Sequence, residues 1–356
     1  MSKPIGVAIV GCGRISDLHG LGYQGLDSAH IVAVTDPNQT RAREKASKWG
    51  VKKIYRDYQQ VLDDPDVDLV ELLTPHHLHC SMTIAACKAG KHVSVQKPMA
   101  IDSREATLMI DAANAAKVKL RIYENFVFYP PAVRARELIQ KGAIGEPRMI
   151  RMHVSTGTGD TGWKIPLSAW MWRIDDKKSG GGPLVFDHGY HLFSLAYDLL
   201  GPVERVYAWI DKTTILPGVN VDAPAAIMFQ FKAPRCYGML DFEHTPKMRI
   251  YSKYYSDDDR VEIIGETGIL MINRYTARTV DLPELMLFQD GKTTPIPVEG
   301  VEWEDSFIAA TRHMVDVIRD DVPARLDGYT GKEVLKFALA AQRSARLHRE
   351  VRPDEL

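Results

Sequence analysis

The chain of 356 residues has few cysteines, and their spacing does not suit cross-linking. Cys12, Cys80, Cys87 and Cys236 form no Cys-x-x-Cys pair, which excludes a zinc finger and a disulfide-rich scaffold. Cys80 and Cys87 would lie two turns apart on one predicted helix, about 10 Å along its axis and beyond disulfide reach. We therefore predict a reduced, intracellular protein.

An excess of charge of one sign is also missing. The 45 Lys and Arg residues nearly balance the 46 Asp and Glu residues, so the net charge is −1. A protein without a basic surplus lacks the general field that holds a nucleic-acid backbone, and we predict no nucleic-acid partner. The charged run DDDR at residues 257–260, four residues long, is predicted to be a solvated turn.

Long hydrophobic runs are absent as well. No segment approaches the ~20 consecutive apolar residues that cross a membrane. The N-terminal segment MSKPIGVAIVGCGR is interrupted by glycine and lacks the small-residue cleavage site of a signal peptide. We predict a cytoplasmic protein with no membrane partner.

Strand-like and helix-like segments alternate in the first third of the chain. Apolar runs at 5–10, 30–36, 67–75, 91–98 and 119–125 are typical of strands buried on both faces of a parallel sheet. The segments between them have helical character, and several end at glycine. This alternation predicts a doubly wound α/β domain at residues 1–124.

The pattern changes after residue 124. From residue 203, strand-like segments follow one another with turn signals and no helices between them, which predicts a mainly antiparallel sheet. Two predicted helices, at about 304–320 and 331–348, close the chain. We predict an α+β domain at residues 125–356 with a large, mostly antiparallel open sheet. Its last helices are free to pack back on the first domain.

The segment GCGRIS at residues 11–16 joins the first predicted strand to the first predicted helix. Gly11 permits a tight turn, and Gly13 lets the backbone approach a pyrophosphate, as in the Rossmann fold. Asp36 ends the second strand, where a carboxylate binds ribose hydroxyl groups and repels the 2′-phosphate of NADP, although Arg41 is placed to accept that phosphate. NAD is therefore predicted in preference to NADP. The predicted cofactor residues of this region are Gly11, Gly13, Arg14, Ile15, Asp36 and Arg41.

The segment TPHHLHCSMTIAACKAGKHVSVQKPMA at residues 74–100 resembles the Gfo/Idh/MocA family of NAD(P)-dependent sugar and polyol oxidoreductases. The family's Thr-Pro loop, the histidine after it, the Ala-Gly-Lys-His-Val strand entry and the Glu-Lys-Pro motif occur here in the same order. The likeness continues through YENFVFYPP, ELIQKGAIGEP and SGGGPLVFDHGYH. One departure is Gln96, which stands where the family has glutamate. The resemblance implies that the cofactor site also includes Thr74, Pro75, His79, Gln96 and Lys97.

The resemblance also assigns the segment FDHGYHLF at residues 186–193 to the substrate site. Asp187 and His191 have i and i+4 spacing, which predicts that they share one face of a helix. His191 is the expected general base, with Asp187 orienting its ring, while Lys97 stabilises the negative charge that develops on the reacting oxygen. The reverse assignment, with Lys97 as the base, stays open.

Further residues are predicted to bind the substrate. Aromatic faces with an arginine suit sugar rings and sugar acids, although a tryptophan-rich junction between domains would explain the same residues. The predicted substrate residues are Asn125, Tyr129, Trp163, Trp172, Arg173 and His188.

A metal site is the alternative interpretation of the histidines. Asp187, His188 and His191 are ligand types that suit zinc, and the histidines within residues 76–79 would add to them. The family works without a metal, and hydride transfer requires none, so we predict no metal.

Together these features predict an NAD-dependent oxidoreductase that oxidises a hydroxyl group, or the hemiacetal carbon, of a sugar, polyol or sugar acid. A second candidate is an enzyme that recycles bound NAD and gives net isomerisation or glycosidic cleavage. A third is a non-catalytic NAD-binding sensor, against which the acid/base set argues. The resemblance also implies that the open sheet packs against another subunit in a homodimer or homotetramer.

Overall fold

The computed structural model describes residues 3–159, 161–164, 166 and 170–356. The chain divides into two units, the first formed by Met1–Asn125 and Phe307–Lys332, the second by Phe126–Ser306 and Glu333–Leu356. Within the described part of the chain, no helix is both long enough and apolar enough to cross a membrane.

The first unit is built on a parallel sheet. Its strands are β1 (Ile5–Val10), β2 (Ala29–Thr35), β3 (Lys53–Tyr55), β4 (Leu69–Leu72), β5 (His92–Gln96) and β6 (Leu120–Tyr123). They lie in the order β3-β2-β1-β4-β5-β6, and neighbouring strands are parallel. The chain order reverses between β1 and β4, which in open α/β sheets marks the place where ligands bind, beyond the carboxyl ends of the strands.

Helices connect these strands. They are α1 (Ser16–Leu21), α2 (Gln39–Trp49), α3 (Tyr58–Leu62), α4 (His79–Lys88) and α5 (Ser103–Ala116). Their ends follow the expected local signals: the Asn38 side chain caps the first turn of α2, and Gly50 ends that helix with a φ of 68°. Strands β1 and β4 are buried along their whole length, as strands covered on both faces must be.

The second unit is built on a mixed sheet. Its strands are β7 (Pro147–Thr158), β8 (Val203–Ile210), β9 (Thr213–Leu216), β10 (Val219–Val221), β11 (Ala225–Phe231), β12 (Tyr237–Arg249), β13 (Asp257–Gly265), β14 (Gly268–Ile272), β15 (Leu285–Gln289) and β16 (Lys292–Pro295). Eight of them form the large sheet in the order β16-β15-β14-β13-β7-β12-β11-β8, and β9 pairs with β10 separately. Within the large sheet β7 and β12 are parallel, and the other pairs are antiparallel.

The remaining α-helices of the described residues begin after residue 129. They are α6 (Pro130–Gln140), α7 (Asp176–Ser179), α8 (Gly189–Leu200), α9 (Trp303–Arg319) and α10 (Gly328–Leu347). Most of α9 and the start of α10 belong to the first unit, because that unit includes residues 307–332.

One face of the large sheet is buried and the other is exposed. On β11, Ile227 and Phe229 are buried, whereas Met228 between them is 55% exposed, which is the period of two expected of a half-buried strand. Helices α8 and α10 cover the inner face: the rings of Phe193 and Phe337 are 4.6 Å apart, and that of Phe337 is 4.9 Å from Phe229. The predicted fold class is confirmed.

The sequence patterns missed six short elements of the described residues: β3, α3, α7, β9, β10 and β16. Each contains three to five residues, too few for a periodic pattern to emerge.

The predicted solvated turn at residues 257–260 is wrong. These residues begin β13, where Asp258 is 2% and Asp259 is 0% exposed. Burial is tolerated because each carboxylate is paired: Arg260 Nε lies 3.0 Å from Asp258 Oδ2, and His188 Nε2 lies 2.7 Å from Asp259 Oδ1. The partner of Asp259 is distant in sequence, so the charged run gave no sign of its burial.

All four cysteines are free and buried. Cys80 and Cys87 lie on α4, on one helix as predicted. Burial raises the pKa of the Cys12 thiol to about 12 and those of the other three to about 11, so the nucleophilic thiolate form is disfavoured.

Candidate functional site

The loop between β1 and α1 has a shape that its glycines permit. Gly11 has a φ of 101°, and a Cβ atom there would lie 2.5 Å from the carbonyl oxygen of Leu73, so only glycine fits. At Gly13 an added Cβ would meet no atom within 4 Å. Ser16 Oγ closes the loop by donating a hydrogen bond to the Gly13 carbonyl at 2.6 Å. The open side of Gly13 leaves room for a pyrophosphate.

Asp36 follows β2, and its carboxylate holds the glycine loop. Oδ2 accepts a hydrogen bond from the N–H of Cys12 at 2.8 Å, and Oδ1 accepts one from the N–H of Asn38 at 2.7 Å. Each oxygen keeps a second lone pair, so the carboxylate can also accept a bond from a ribose hydroxyl group. Arg41 lies exposed in the first turn of α2.

The loops that follow β4 and β5 are tied together by the buried side chain of His79. Its Nε2 lies 2.8 Å from the Thr74 carbonyl oxygen, and its Nδ1 lies 3.0 Å from that of Pro98. Thr74 Oγ1 is buried and has no hydrogen-bond partner among the described residues, so it is available to a bound group. Lys97 directly follows β5, and its backbone N–H donates to Gln96 Oε1 at 2.8 Å.

The first unit therefore brings the predicted cofactor residues to one edge of its sheet. A glycine with open space beside it, an unpartnered hydroxyl group and a carboxylate with spare lone pairs fit a dinucleotide. Asn125, predicted to contact the substrate, lies beyond β6 and is buried. The predicted cofactor residues in or directly beside the loops after β1, β2, β4 and β5 are Gly11, Gly13, Arg14, Ile15, Asp36, Thr74, Pro75, His79, Gln96 and Lys97.

In the second unit, the segment FDHGYHLF begins in a π-helical stretch, Pro183–His188, and continues into α8. Asp187 thus precedes the α-helix that carries His191, where the spacing predicted a single α-helical face. Arg173 Nε donates to Asp187 Oδ2 at 2.7 Å, and the Arg173 guanidinium lies 4.3 Å from the centre of a Trp172 ring. The ion pair holds the Asp187 carboxylate in one orientation.

His188 is held by two carboxylates of β13. Its Nε2 lies 2.7 Å from Asp259 Oδ1, and its Nδ1 lies 3.7 Å from Asp257 Oδ2. Both nitrogens of this predicted substrate residue therefore face acidic groups. Asp257 and Asp259 were missed by the sequence predictions, because Asp259 lies 71 residues beyond His188 and no spacing rule connects them.

The ring of His191 is part of an aromatic stack. It lies 4.2 Å from the Phe126 ring at an angle of 11°, and Phe126 lies 4.4 Å from Tyr275 at 12°. Tyr129, another predicted substrate residue, packs 4.7 Å from Tyr275 and donates its hydroxyl group to the Val301 carbonyl at 2.9 Å. The stack fixes the plane of the His191 ring and hence the directions of its nitrogens.

Trp163 belongs to an aromatic cluster. Its ring lies 5.1 Å from Tyr254, 5.5 Å from Tyr255 and 6.4 Å from Trp303. The backbone N–H of Trp163 also donates to the Tyr254 carbonyl at 2.8 Å. These contacts give Trp163 a packing role in the second unit.

Tyr255 joins this aromatic cluster to the ion pairs. Burial raises the pKa of its hydroxyl group to about 12; the Arg173 guanidinium opposes the shift, and the Asp187 and Asp257 carboxylates add to it. The hydroxyl group therefore stays protonated and is available as a donor. No motif in the sequence pointed to Tyr255.

Within the described ranges, no group of three or more His, Cys, Asp and Glu side chains is arranged to hold a metal ion. The residues of the alternative metal site have other contacts: Asp187 binds Arg173, His188 binds Asp259, and His191 stacks on Phe126.

Comparison with known proteins identifies family models and similar proteins for both parts of the chain. Residues 5–124 match the family model for oxidoreductases with an NAD-binding Rossmann fold, and residues 132–271 match the model for the GFO/IDH/MocA C-terminal domain. The chain is 26% identical to the myo-inositol 2-dehydrogenase of Thermotoga maritima, over 98% of this chain and 99% of that protein. It is 25% identical to the D-apiose dehydrogenase of Paraburkholderia graminis, over 97% and 88%. A solved structure of levoglucosan dehydrogenase in complex with NADH and levoglucosan has a similar fold, with a TM-score of 0.83 and 24% identity over 98% of this chain and 99% of that one.

The fold is that of an NAD-binding oxidoreductase, and the residues at the sheet edge form the candidate site for the dinucleotide. The chain belongs to the Gfo/Idh/MocA family, as its motifs indicated. The predicted enzyme class and the predicted NAD cofactor are confirmed. The cytoplasmic location stays a prediction.

The two glycines of the loop should respond differently to alanine. Gly11→Ala should lower the free energy of unfolding by about 2 kcal/mol or more, because positive φ alone costs ~1–2 kcal/mol for an alanine and the new Cβ meets a backbone carbonyl. Gly13→Ala should leave the melting temperature of the free protein nearly unchanged but weaken NAD⁺ binding by about tenfold or more, because its methyl group enters the space for the pyrophosphate. Thermal unfolding and NAD⁺ titration measure the two effects. Native NAD⁺ affinity in Gly13→Ala would contradict the assignment of this loop.

Proposed function

We propose that this enzyme oxidises a hydroxyl group, or the hemiacetal carbon, of an uncharged sugar or polyol, with NAD as the oxidant. The observation that carries the proposal is the position of Lys97, directly after β5 and at the same sheet edge as the glycine loop. A cation at this position suits stabilisation of negative charge on a reacting oxygen. The relatives named as myo-inositol and D-apiose dehydrogenases support the substrate class.

Lys97 and His191 have different roles in the proposed reaction. NAD, when bound, supplies the two-electron acceptor. In the first unit Lys97 donates a hydrogen bond to the reacting oxygen. In the second unit His191 takes the hydroxyl proton, and Asp187, held by Arg173, favours the protonated imidazole that results. In the alternative assignment Lys97 takes the proton and His191 binds the substrate.

The charges of the second unit favour an uncharged substrate over a sugar acid. Arg173 is the guanidinium that would bind a substrate carboxylate, but its Nε already donates to Asp187 at 2.7 Å. Asp257 and Asp259 lie beside His188 and add further negative charge. An aldonate carboxylate would therefore be repelled more than it is attracted, whereas neutral hydroxyl groups find several acceptors.

We also propose that the exposed face of the large sheet associates with a second copy of the chain. Met228 pairs with Met239 on one side and with Tyr207 on the other, so the exposed apolar side chains are neighbours. A contiguous apolar patch of this kind is typical of an interface. Its most exposed members are Trp209, Met228, Tyr237 and Met239.

The proposed reaction is tested by following NADH absorbance with a panel of inositols, neutral aldoses and aldonates. NADH should form steadily with a neutral compound, and the aldonates should be oxidised at least about tenfold less efficiently, the ratio expected for one unfavourable charge contact of about 1.4 kcal/mol. Consumption of a compound without NADH, detected by mass spectrometry, would instead identify an enzyme that recycles NAD.

With the compound found in this way, Lys97→Met should lower kcat by ~10²–10⁴-fold, the range for loss of a group acting on the transferred proton or its oxygen. NAD⁺ affinity should change by less than about threefold, because a ground-state contact with the cofactor is not the main role assigned to the side chain. Lys88→Met, at an exposed position on α4, is the matched control and should behave as the native enzyme. Native kcat in Lys97→Met would remove the lysine from the mechanism.

Asp36→Ala should change the cofactor preference. Its carboxylate also accepts two backbone hydrogen bonds, so the variant will be less stable, and the ratio of NAD⁺ to NADP⁺ affinity is the informative quantity. That ratio should fall by about tenfold or more, since a hydrogen bond to a charged group contributes ~1.5–3 kcal/mol. Asp57→Ala, which removes another backbone acceptor at the start of α3, is the control and should leave the ratio unchanged. Equal weakening of both cofactors by Asp36→Ala would mean that the carboxylate does not bind the ribose.

Met228→Glu should dissociate the proposed assembly by placing a charge in the apolar face of the sheet. Light scattering after gel filtration should show a dimer or tetramer for the native chain and a smaller species for the variant. Leu108→Glu changes a comparably exposed apolar residue on α5, outside the patch, and should leave the mass unchanged. A monomeric native chain would contradict the proposal.

A further inference from the structure

In the first unit, hydrogen bonds connect a fully buried imidazole–carboxylate pair with the backbone of Lys97. His19 on α1 and Glu71 on β4 are both 0% exposed, with His19 Nδ1 lying 3.1 Å from Glu71 Oε2. The other ring nitrogen, Nε2, lies 3.2 Å from Gln96 Nε2. Gln96 Oε1 in turn accepts a hydrogen bond from the backbone N–H of Lys97 at 2.8 Å. These four residues form one chain of hydrogen bonds.

The donors and acceptors of this chain can be assigned from one end. The Lys97 N–H can only donate, so the Gln96 oxygen faces it and the Gln96 amide nitrogen faces His19. That nitrogen can only donate, so His19 Nε2 must accept. The proton of the neutral ring then lies on Nδ1, from which it is donated to Glu71. A single arrangement satisfies every link.

Packing prevents the His19 ring from turning. It lies 3.8 Å from the Tyr123 ring at 32° and 5.7 Å from the Phe307 ring at 65°. The Tyr123 hydroxyl group is bonded to the Phe307 carbonyl and to Thr311 Oγ1, both at 2.9 Å, so this wall is itself fixed. The two ring nitrogens of His19 therefore keep their directions.

We propose that His19 is a positioning residue for Lys97 and acts through Gln96. The inference rests on the proposed function, because it requires Lys97 to act in the reaction. Gln96 is only half-buried, so without His19 its side chain would exchange among rotamers and the Lys97 N–H would lose a fixed acceptor. Since α1 also follows the glycine loop, His19 connects the cofactor loop to Lys97.

The first test determines the tautomer of His19 without any substrate. In protein labelled with ¹⁵N-histidine, long-range ¹H–¹⁵N spectra distinguish the Nδ1–H, Nε2–H and doubly protonated rings. His19 should show Nδ1–H at neutral pH, with and without NAD⁺. Its signal is assigned by its loss in His19→Gln or, should that variant not fold, by its shift in Glu71→Gln. An Nε2–H or doubly protonated ring in the native protein overturns the proposal.

A reversed pair gives a second test. In the double variant Glu71→Gln with Gln96→Glu, the carboxylate at position 96 accepts from both the Lys97 N–H and His19 Nε2, and the amide at position 71 donates to Nδ1. His19 should therefore switch to the Nε2–H tautomer. An unchanged tautomer would show that the residues at 71 and 96 do not orient the ring.

The third test measures catalysis. Gln96→Met removes both hydrogen bonds at nearly constant volume and should lower kcat by ~10–100-fold through misplacement of Lys97, with KM and NAD⁺ affinity within about threefold of native. Gln24→Met, at an exposed position shortly after α1, is the control and should leave kcat unchanged. A parallel loss of NAD⁺ affinity would favour the cofactor role that the family resemblance implies for Gln96 and would overturn its positioning role. If His19 shows Nδ1–H but the native enzyme oxidises no compound of the panel, the proposed function fails and the hydrogen-bond chain stands.

Discussion

A carboxylate buried in the middle of the parallel sheet constrains the first unit. Glu71 lies at 0% exposure on β4, the strand between β1 and β5. Removing a charge from water is costly, so neighbouring groups must bond to it or neutralise it. His19 does so directly, while the buried Arg121 of β6 supplies positive charge: burial lowers the pKa of Arg121, and Tyr123 and Glu71 oppose that shift. The requirement fixes α1, β4 and β6 with respect to one another, and with them the loops at the cofactor edge.

The second unit buries charge according to the same rule. Arg173 neutralises Asp187, and His188 lies between carboxylates of β13. These pairs fix the end of the π-helical stretch, where Asp187 and His188 lie. Stacking on Phe126 orients His191 at the start of α8. Ionisable residues at the start of an otherwise apolar helix are thus compatible with a packed core, because each of these side chains contacts a residue of another element.

The sequence predicted the features that depend on residues close to one another along the chain. Alternating apolar runs identified the long strands and helices, and the glycine loop and the Gln-Lys-Pro motif identified one edge of the first sheet. Contacts between residues distant in the sequence were not predicted: His19 and Glu71 are 52 positions apart, and His19 and Gln96 are 77 apart. The spacing of Asp187 and His191 predicted one α-helical face, but a π-helical stretch breaks the period that the rule assumes. The acidic run at 257–260 was misread because the partner that neutralises Asp259 comes from another part of the chain.

The two candidate sites differ in how sequence change can alter them. The candidate cofactor residues act largely through the backbone, by the φ of Gly11 and by an Asp36 carboxylate that binds two peptide N–H groups. The fold sets these requirements, which is why they take the form of a recognisable motif. The candidate substrate residues act through side-chain pairs, and replacing one member of a buried pair leaves the other charge uncompensated. A new substrate preference therefore requires coupled substitutions, such as His188 together with Asp259, whereas the NAD site can remain unchanged.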